Sequence, residues 1–183
     1  SDNEQQELLL DRYSWEIKEI SDAKLIIGEE EGLEDEAKLL RNSEKIITSV
    51  NKAHSFLDNE KGILSRLALA KDELRYAARY DERLREFAES LESSWITLDD
   101  CRTELSDYLS GSDFNEERAA SVQERLDTIY RLQKKYGGTT EDVLEYLAAT
   151  IAKQQELQNI ADTIAATEKQ LKAVTDKRTQ AAA

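Results

Sequence analysis

The chain contains no proline, no methionine, one cysteine, one histidine and six glycines in 183 residues. Each shortage excludes something. With no proline, nothing in the sequence forces a helix to kink. The glycines stand at Gly28, Gly32, Gly62, Gly111, Gly137 and Gly138, where the apolar pattern breaks, so the intervals between them read as long helices. A lone Cys101 rules out an intrachain disulfide and agrees with a reducing, cytoplasmic setting. No signal peptide is recognisable, and no apolar run approaches membrane-spanning length. The absence of methionine even at position 1 makes the sequence read as a piece excised from a longer protein.

Charge is abundant: 35% of residues are charged, only 7% are aromatic, and the net charge is −14. Such a balance suits helices with narrow apolar seams and wide solvated faces. A disordered chain would share the charge but not the regular spacing of leucine and isoleucine. Residues 1–60 hold sixteen acids against seven bases. A negative field repels phosphate backbones and anionic membranes, so the fragment is not expected to hold DNA by itself.

The periodicity predicts six helical stretches. The first covers about Asn3 to Asp22, with a seam of Leu10, Tyr13, Ile17 and Ile20. A break from Ala23 to Gly32 follows, carrying Glu29-Glu30-Glu31 near the next helix start, where the dipole favours acids. The second helix spans about Leu33 to Leu57 and ends in the turn Asp58–Gly62. The third carries Ile63, Leu67, Ala70, Leu74 and Ala77. It either stops near Tyr80-Asp81-Glu82, with Asp81 as N-cap, or runs on with a bend. The fourth has a heptad of Leu84, Phe87, Leu91, Ser94, Leu98, Cys101, Leu105 and Tyr108, with Ala88, Trp95 and Leu109 as a second stripe. After a loop at Ser110–Asn115, the fifth carries Val122, Leu126, Ile129, Leu132 and Tyr136 and stops at Gly137-Gly138. The last starts at Thr139 or Thr140, with Glu141 and Asp142 in its first turn, and continues almost to the end. Forty residues of helix would span roughly 60 Å, and a helix of that length needs a partner. The first helix, lying antiparallel to it, is the natural one.

Chemistry is scarce. Gly137-Gly138 lacks the following Gly-Lys-Ser/Thr of a phosphate loop. His54 lies on a helix seam with no cysteine near in sequence, which favours a structural role over a base or metal ligand. Cys101 reads as a small core residue and not as a nucleophile. The acids of Glu29–Glu36 read as a solvated helix start. The basic run Arg131–Tyr136 reads as complementing a helix C-terminus. Trp95 is assigned to a core stripe, whereas Trp15 falls off its helix's main seam. A di-metal carboxylate enzyme needs Glu-x-x-His on paired helices, which one histidine cannot supply.

Several segments, in order, resemble one family. Trp15-Glu16-Ile17-Lys18-Glu19-Ile20, then Gly28-Glu29 with Leu33-Glu34-Asp35-Glu36 and Leu40–Lys45, then Glu104–Leu109 are similar to the coiled-coil insert of RecN, an SMC-like DNA repair ATPase of bacteria. So are Arg125-Leu126, Leu132–Gly137 and Glu141–Leu144. The resemblance covers nearly the whole chain. It implies a coiled coil set between the two halves of an ATP-binding head, serving as spacer and self-association element in double-strand break repair and recombination. ATP and magnesium would belong to those heads, and no cofactor or metal is expected in these residues. DNA would be reached through the parent protein.

The combined expectation is an all-α fold: an elongated antiparallel coiled coil with a helical-bundle tip. It forms one domain, with arms at about 1–58 and 116–183 and a tip at about 61–110. The fragment is expected to lack catalytic activity, to be cytoplasmic, to bind no membrane and to form a homodimer through its tip. Tyr76, Tyr80, Phe87 and Trp95 are the candidate contacts. The alternative is a spectrin-like or adaptor bundle that docks a partner protein, although no internal repeat of that kind is visible.

Overall fold

The computed structural model describes all residues from Ser1 to Ala183. It is all-α, with α1 (Asp2–Ala23), α2 (Glu29–Asp58), α3 (Ile63–Ala77), a 3-10 turn (Glu82–Leu84), α4 (Arg85–Ser110), α5 (Glu116–Tyr136) and α6 (Thr140–Ala182).

Capping chemistry sets the boundaries. Ser1 and Glu4 form a capping box at the start of α1. Lys24 ends that helix in the left-handed region at φ 49°, and Gly28 takes φ 88° before α2 begins. The break is therefore shorter than the periodicity predicts, and Gly32 lies inside α2. The reason is local. Glu29, Glu30 and Glu31 occupy the first turn of α2, where the dipole favours them. One glycine costs only about 1 kcal/mol against alanine in a helix, too little to move a start so anchored. Gly62 precedes α3 at a point where a Cβ would meet the carbonyl oxygens of Phe56 and Asn59 at 2.7 and 2.9 Å. Backbone cannot yield that much, so the turn requires glycine there. Asp81 accepts a hydrogen bond from the Arg83 amide, so α3 ends and does not run on. Thr139 caps α6 by accepting from the Asp142 amide at 3.1 Å.

The chain forms two compact units: Ser1–Glu34 with Val122–Ala183, and Asp35–Ser121. In the first, α1 runs antiparallel to α6, since Glu16 meets Tyr146 and Ser14 meets Gln154. Its core is Ile20, Leu132 and Val143, flanked by Leu25, Tyr136, Tyr146 and Leu147. Val122, Leu126 and Ile129 are also buried. In the second unit, α3 is antiparallel to α4: Arg75 faces Glu92, and Leu64 faces Trp95. The buried residues there are mostly small: Ala37, Ala78 and Ala88, with Leu57 and Leu64.

Two sequence expectations need correction. On α4, half of the apparent heptad, including Phe87, Cys101 and Tyr108, is exposed. The helix buries Ala88 and half-buries Trp95 together with Leu91, Leu98 and Leu105. Ala88 lacks bulk, and the Trp95 indole N–H donates to the Leu64 carbonyl at 3.1 Å, so the inward face combines the second stripe with the leucines of the heptad and leaves Phe87, Ser94, Cys101 and Tyr108 outside. Cys101 is thus a surface residue, not a core one. On α6, α1 covers only part of the helix. Everything from Asp162 onward is exposed, including Ile164, Leu171 and Val174; with Ser14 against Gln154, Leu171 and Val174 lie past the start of α1.

Candidate functional site

The first unit concentrates its polar groups where α1, α5 and α6 meet. Glu16, buried on α1, accepts from the Arg12 Nε at 2.9 Å and from the Tyr146 hydroxyl at 2.5 Å. One turn on, Glu19 accepts from Lys135 Nζ at 2.8 Å and the Tyr136 hydroxyl at 2.5 Å. The Tyr136 and Tyr146 rings lie against each other, with centroids 5.0 Å apart. Burial pushes both carboxyls up. Their hydrogen bonds and cationic neighbours outweigh it, so Glu16 and Glu19 both sit below the ordinary carboxylate value. Burial and then the bond to Glu19 push the Tyr136 phenol well above its usual value. The bond to Glu16, followed by burial, raises that of Tyr146. Two carboxylates and two neutral phenols thus join three helices into one polar network that tolerates a single register.

A second device ties the break between α1 and α2. Arg125 on α5 donates to the carbonyls of Ala23 and Lys24 at 2.6 and 3.1 Å and to Glu29 at 2.7 Å. The last turn of α1 carries no basic residue of its own, so this guanidinium supplies the charge that complements its carbonyl end. Nearby, Gln133 donates to Glu30 and the Tyr130 hydroxyl to Glu34. In the second unit Arg118 grips Glu36 in a bidentate pair at 2.6 and 2.8 Å. The acid-rich start of α2 is therefore largely partnered, where the sequence reads as a solvated face.

The four aromatic residues singled out by sequence have different fates. Tyr76, Tyr80 and Phe87 are 58%, 78% and 60% exposed, and the two tyrosines meet edge to face at 5.7 Å. Trp95 is half-buried in the α3–α4 seam, with Lys71 over its ring. Trp15 is exposed and carries Lys135 over its ring at 4.8 Å. His54 is bonded to Ser106 at 2.7 Å, a structural placement.

The start of α6 after Gly137-Gly138 is filled by its own Thr139 cap and by Glu141 and Asp142, which would repel phosphate. No group of three or more His, Cys, Asp or Glu is placed to hold a metal. No helix is long and apolar enough to cross a membrane.

Antiparallel helix pairs, capped and register-locked, with no strand, define an all-α coiled-coil protein. No family model matches the chain. It is 31% identical over 165 residues to the DNA repair protein RecN of Bacillus subtilis, a match covering 90% of this chain and 29% of that protein. It is 36% identical over 159 residues to the RecN of Treponema pallidum, with 85% and 27% covered. With the RecN of Deinococcus radiodurans it shares 30% over 138 residues, with 75% and 24% covered. The chain is homologous to these RecN proteins over three quarters or more of its own length, as a piece of such a protein would be, and spans less than a third of the length of these curated relatives.

Proposed function

We propose that this chain is the coiled-coil segment of a RecN-like DNA repair protein, acting in the cytoplasm in double-strand break repair. In this reading it serves as a spacer between ATP-binding heads and as a self-association element. The heads would supply ATP and magnesium chemistry from outside these residues, and the segment itself would do no catalysis. The spacer role draws on α6, whose 43 residues correspond to roughly 65 Å at 1.5 Å per residue. The stripe of Ile164, Leu171 and Val174 is then the place where a further antiparallel helix of a longer chain would pair.

The observation that carries self-association is the wet aromatic set of the α3–α4 region. Tyr76, Tyr80 and Phe87 expose most of their area in a unit whose own core is thin, and aromatics are enriched at such contacts. Trp95 is engaged within its own unit and is left out of the proposed face. Light scattering across a dilution series of the intact chain tests the reading. A dimer that dissociates on dilution, and that weakens at least tenfold in a Tyr76→Ala/Tyr80→Ala/Phe87→Ala variant, is expected. A chain that stays monomeric at the highest concentration contradicts it.

A further inference from the structure

We propose that the cavity between the starts of α2 and α6 binds a polyamine, an alkyl chain bearing two or more ammonium groups. The cavity has a volume of about 220 Å³ and is lined by Gly28, Glu30, Glu31, Glu34, Thr140 and Glu141. No cationic side chain stands among these residues. Each helix N-terminus carries a partial positive charge of about one half, which four full carboxylates outweigh.

An acid-rich surface by itself attracts only a loose ion atmosphere. Thr140 makes this one specific. It is 4% exposed, and its Oγ1 is the one buried side-chain polar atom of the chain without a hydrogen-bond partner. Thr139 supplies the cap of α6, so the Thr140 hydroxyl has no part in starting the helix. Buried polar groups are satisfied in the great majority of cases, and a hydroxyl left open costs stability that a donor from outside the chain restores. An ammonium group has three N–H donors and no acceptor, so it can donate to Oγ1 and to carboxylates at once.

The carboxylates are free to receive it. Glu30 accepts from Gln133 and Glu34 from the Tyr130 hydroxyl, neutral donors that leave both charges uncompensated. Glu31 and Glu141 are exposed and pair with no cation. Acids on two helices call for more than one ammonium in the ligand. Ile26 and Ile27, exposed just before Gly28, offer apolar surface to the methylenes between the charges. Gly28 leaves the wall open, since nothing lies within 4 Å of the place its Cβ would take. A bare metal ion is the poorer occupant, because no three acidic side chains are placed to hold one. The inference does not rest on the RecN reading and uses no residue of the proposed self-association face.

The test is isothermal titration calorimetry of the intact chain with spermidine at about 0.15 M salt, where distant charges are screened. A dissociation constant on the order of 1 mM or tighter is expected. Glu31→Gln/Glu141→Gln should weaken binding at least about tenfold. Glu116→Gln/Glu117→Gln removes the same charge from the exposed start of α5 and should change binding by less than about twofold. Thr140→Val should weaken binding at least about threefold and leave the melting temperature of the free chain equal or higher, since an unpaired hydroxyl is removed. No binding, equal losses in the two double variants, or undiminished binding in both Thr140→Val and Glu31→Gln/Glu141→Gln overturns the proposal. Magnesium or methylammonium binding as tightly as spermidine also overturns it, by assigning the cavity to simple counterions.

Discussion

The two antiparallel pairs, α1–α6 and α3–α4, are built from the same kind of helix and stabilised differently. In the first unit, branched aliphatics are almost wholly removed from water: Ile20, Val122, Ile129, Leu132 and Val143 are all below 2% exposed. Around them the polar groups are paired across helices, with tyrosine hydroxyls on carboxylates and Arg125 on helix-end carbonyls. In the second unit three of the five buried apolar residues are alanines, and large side chains such as Leu39, Phe56, Leu69, Tyr80 and Phe87 face outward. The area removed from water drives folding at about 25 cal/mol per Å². The difference therefore separates a unit with a bulky buried core from one whose buried core is thin.

Each unit contains one of the two tryptophans, Trp15 in the first and Trp95 in the second. Trp95→Phe and Trp15→Phe variants make the two units separately visible by fluorescence during denaturation. The largest expected effect is from Leu132→Ala, which opens a cavity in the first unit's core and should cost about 2–5 kcal/mol in the Trp15 signal. A loss that appears equally in the Trp95 signal would mean that the two units unfold as one.

A smaller effect concerns pH. Glu16 and Glu19 titrate below their ordinary value in the folded chain. Their contribution is complete above the unfolded carboxylate value of about 4.5 and is lost as pH falls below it. Tyr136 is displaced the other way, so its contribution is complete below the ordinary tyrosine value of 10.0 and is lost as pH rises past it. Urea melts read through Trp15 should show both limbs. Glu16→Gln should flatten the acid limb and lower mid-pH stability by about 1–3 kcal/mol, and Tyr136→Phe should flatten the alkaline one. Unchanged limbs in both variants would show that the network does not hold the unit.

The smallest effect is at the break between α1 and α2. Lys24 sits at φ 49°, a region that side-chain-bearing residues populate at a cost. Lys24→Gly should leave thermal stability equal or raise it by up to about 1 kcal/mol. A clear loss would mean that Lys24 contributes through its side chain.

Most helix boundaries were legible in the sequence because they depend on local chemistry. Glycine at the breaks, Asp81 as a cap and Thr139 before Glu141-Asp142 act within a few residues. The faces were less legible. Two stripes on α4 share one heptad period, and the inward face takes Ala88 and Trp95 from one and Leu91, Leu98 and Leu105 from the other, leaving Phe87 and Cys101 outside. The polar network was missed for a related reason. Glu16 and Glu19 look like solvated helix residues until Tyr146 and Tyr136, more than a hundred positions away, are brought to them. A possible signal was their three-residue spacing beside Ile17 and Ile20, which places them at the edge of the buried seam.

Amide hydrogen exchange on the intact chain tests the contrast between the units most directly. Protection should be highest in residues 122–150, around Leu132 and Val143. It should be at least tenfold lower across α3 and α4, the tenfold factor corresponding to about 1.4 kcal/mol of opening free energy. Equal protection in the two regions, or greater protection in α3–α4, would contradict the account of one locked unit and one held loosely.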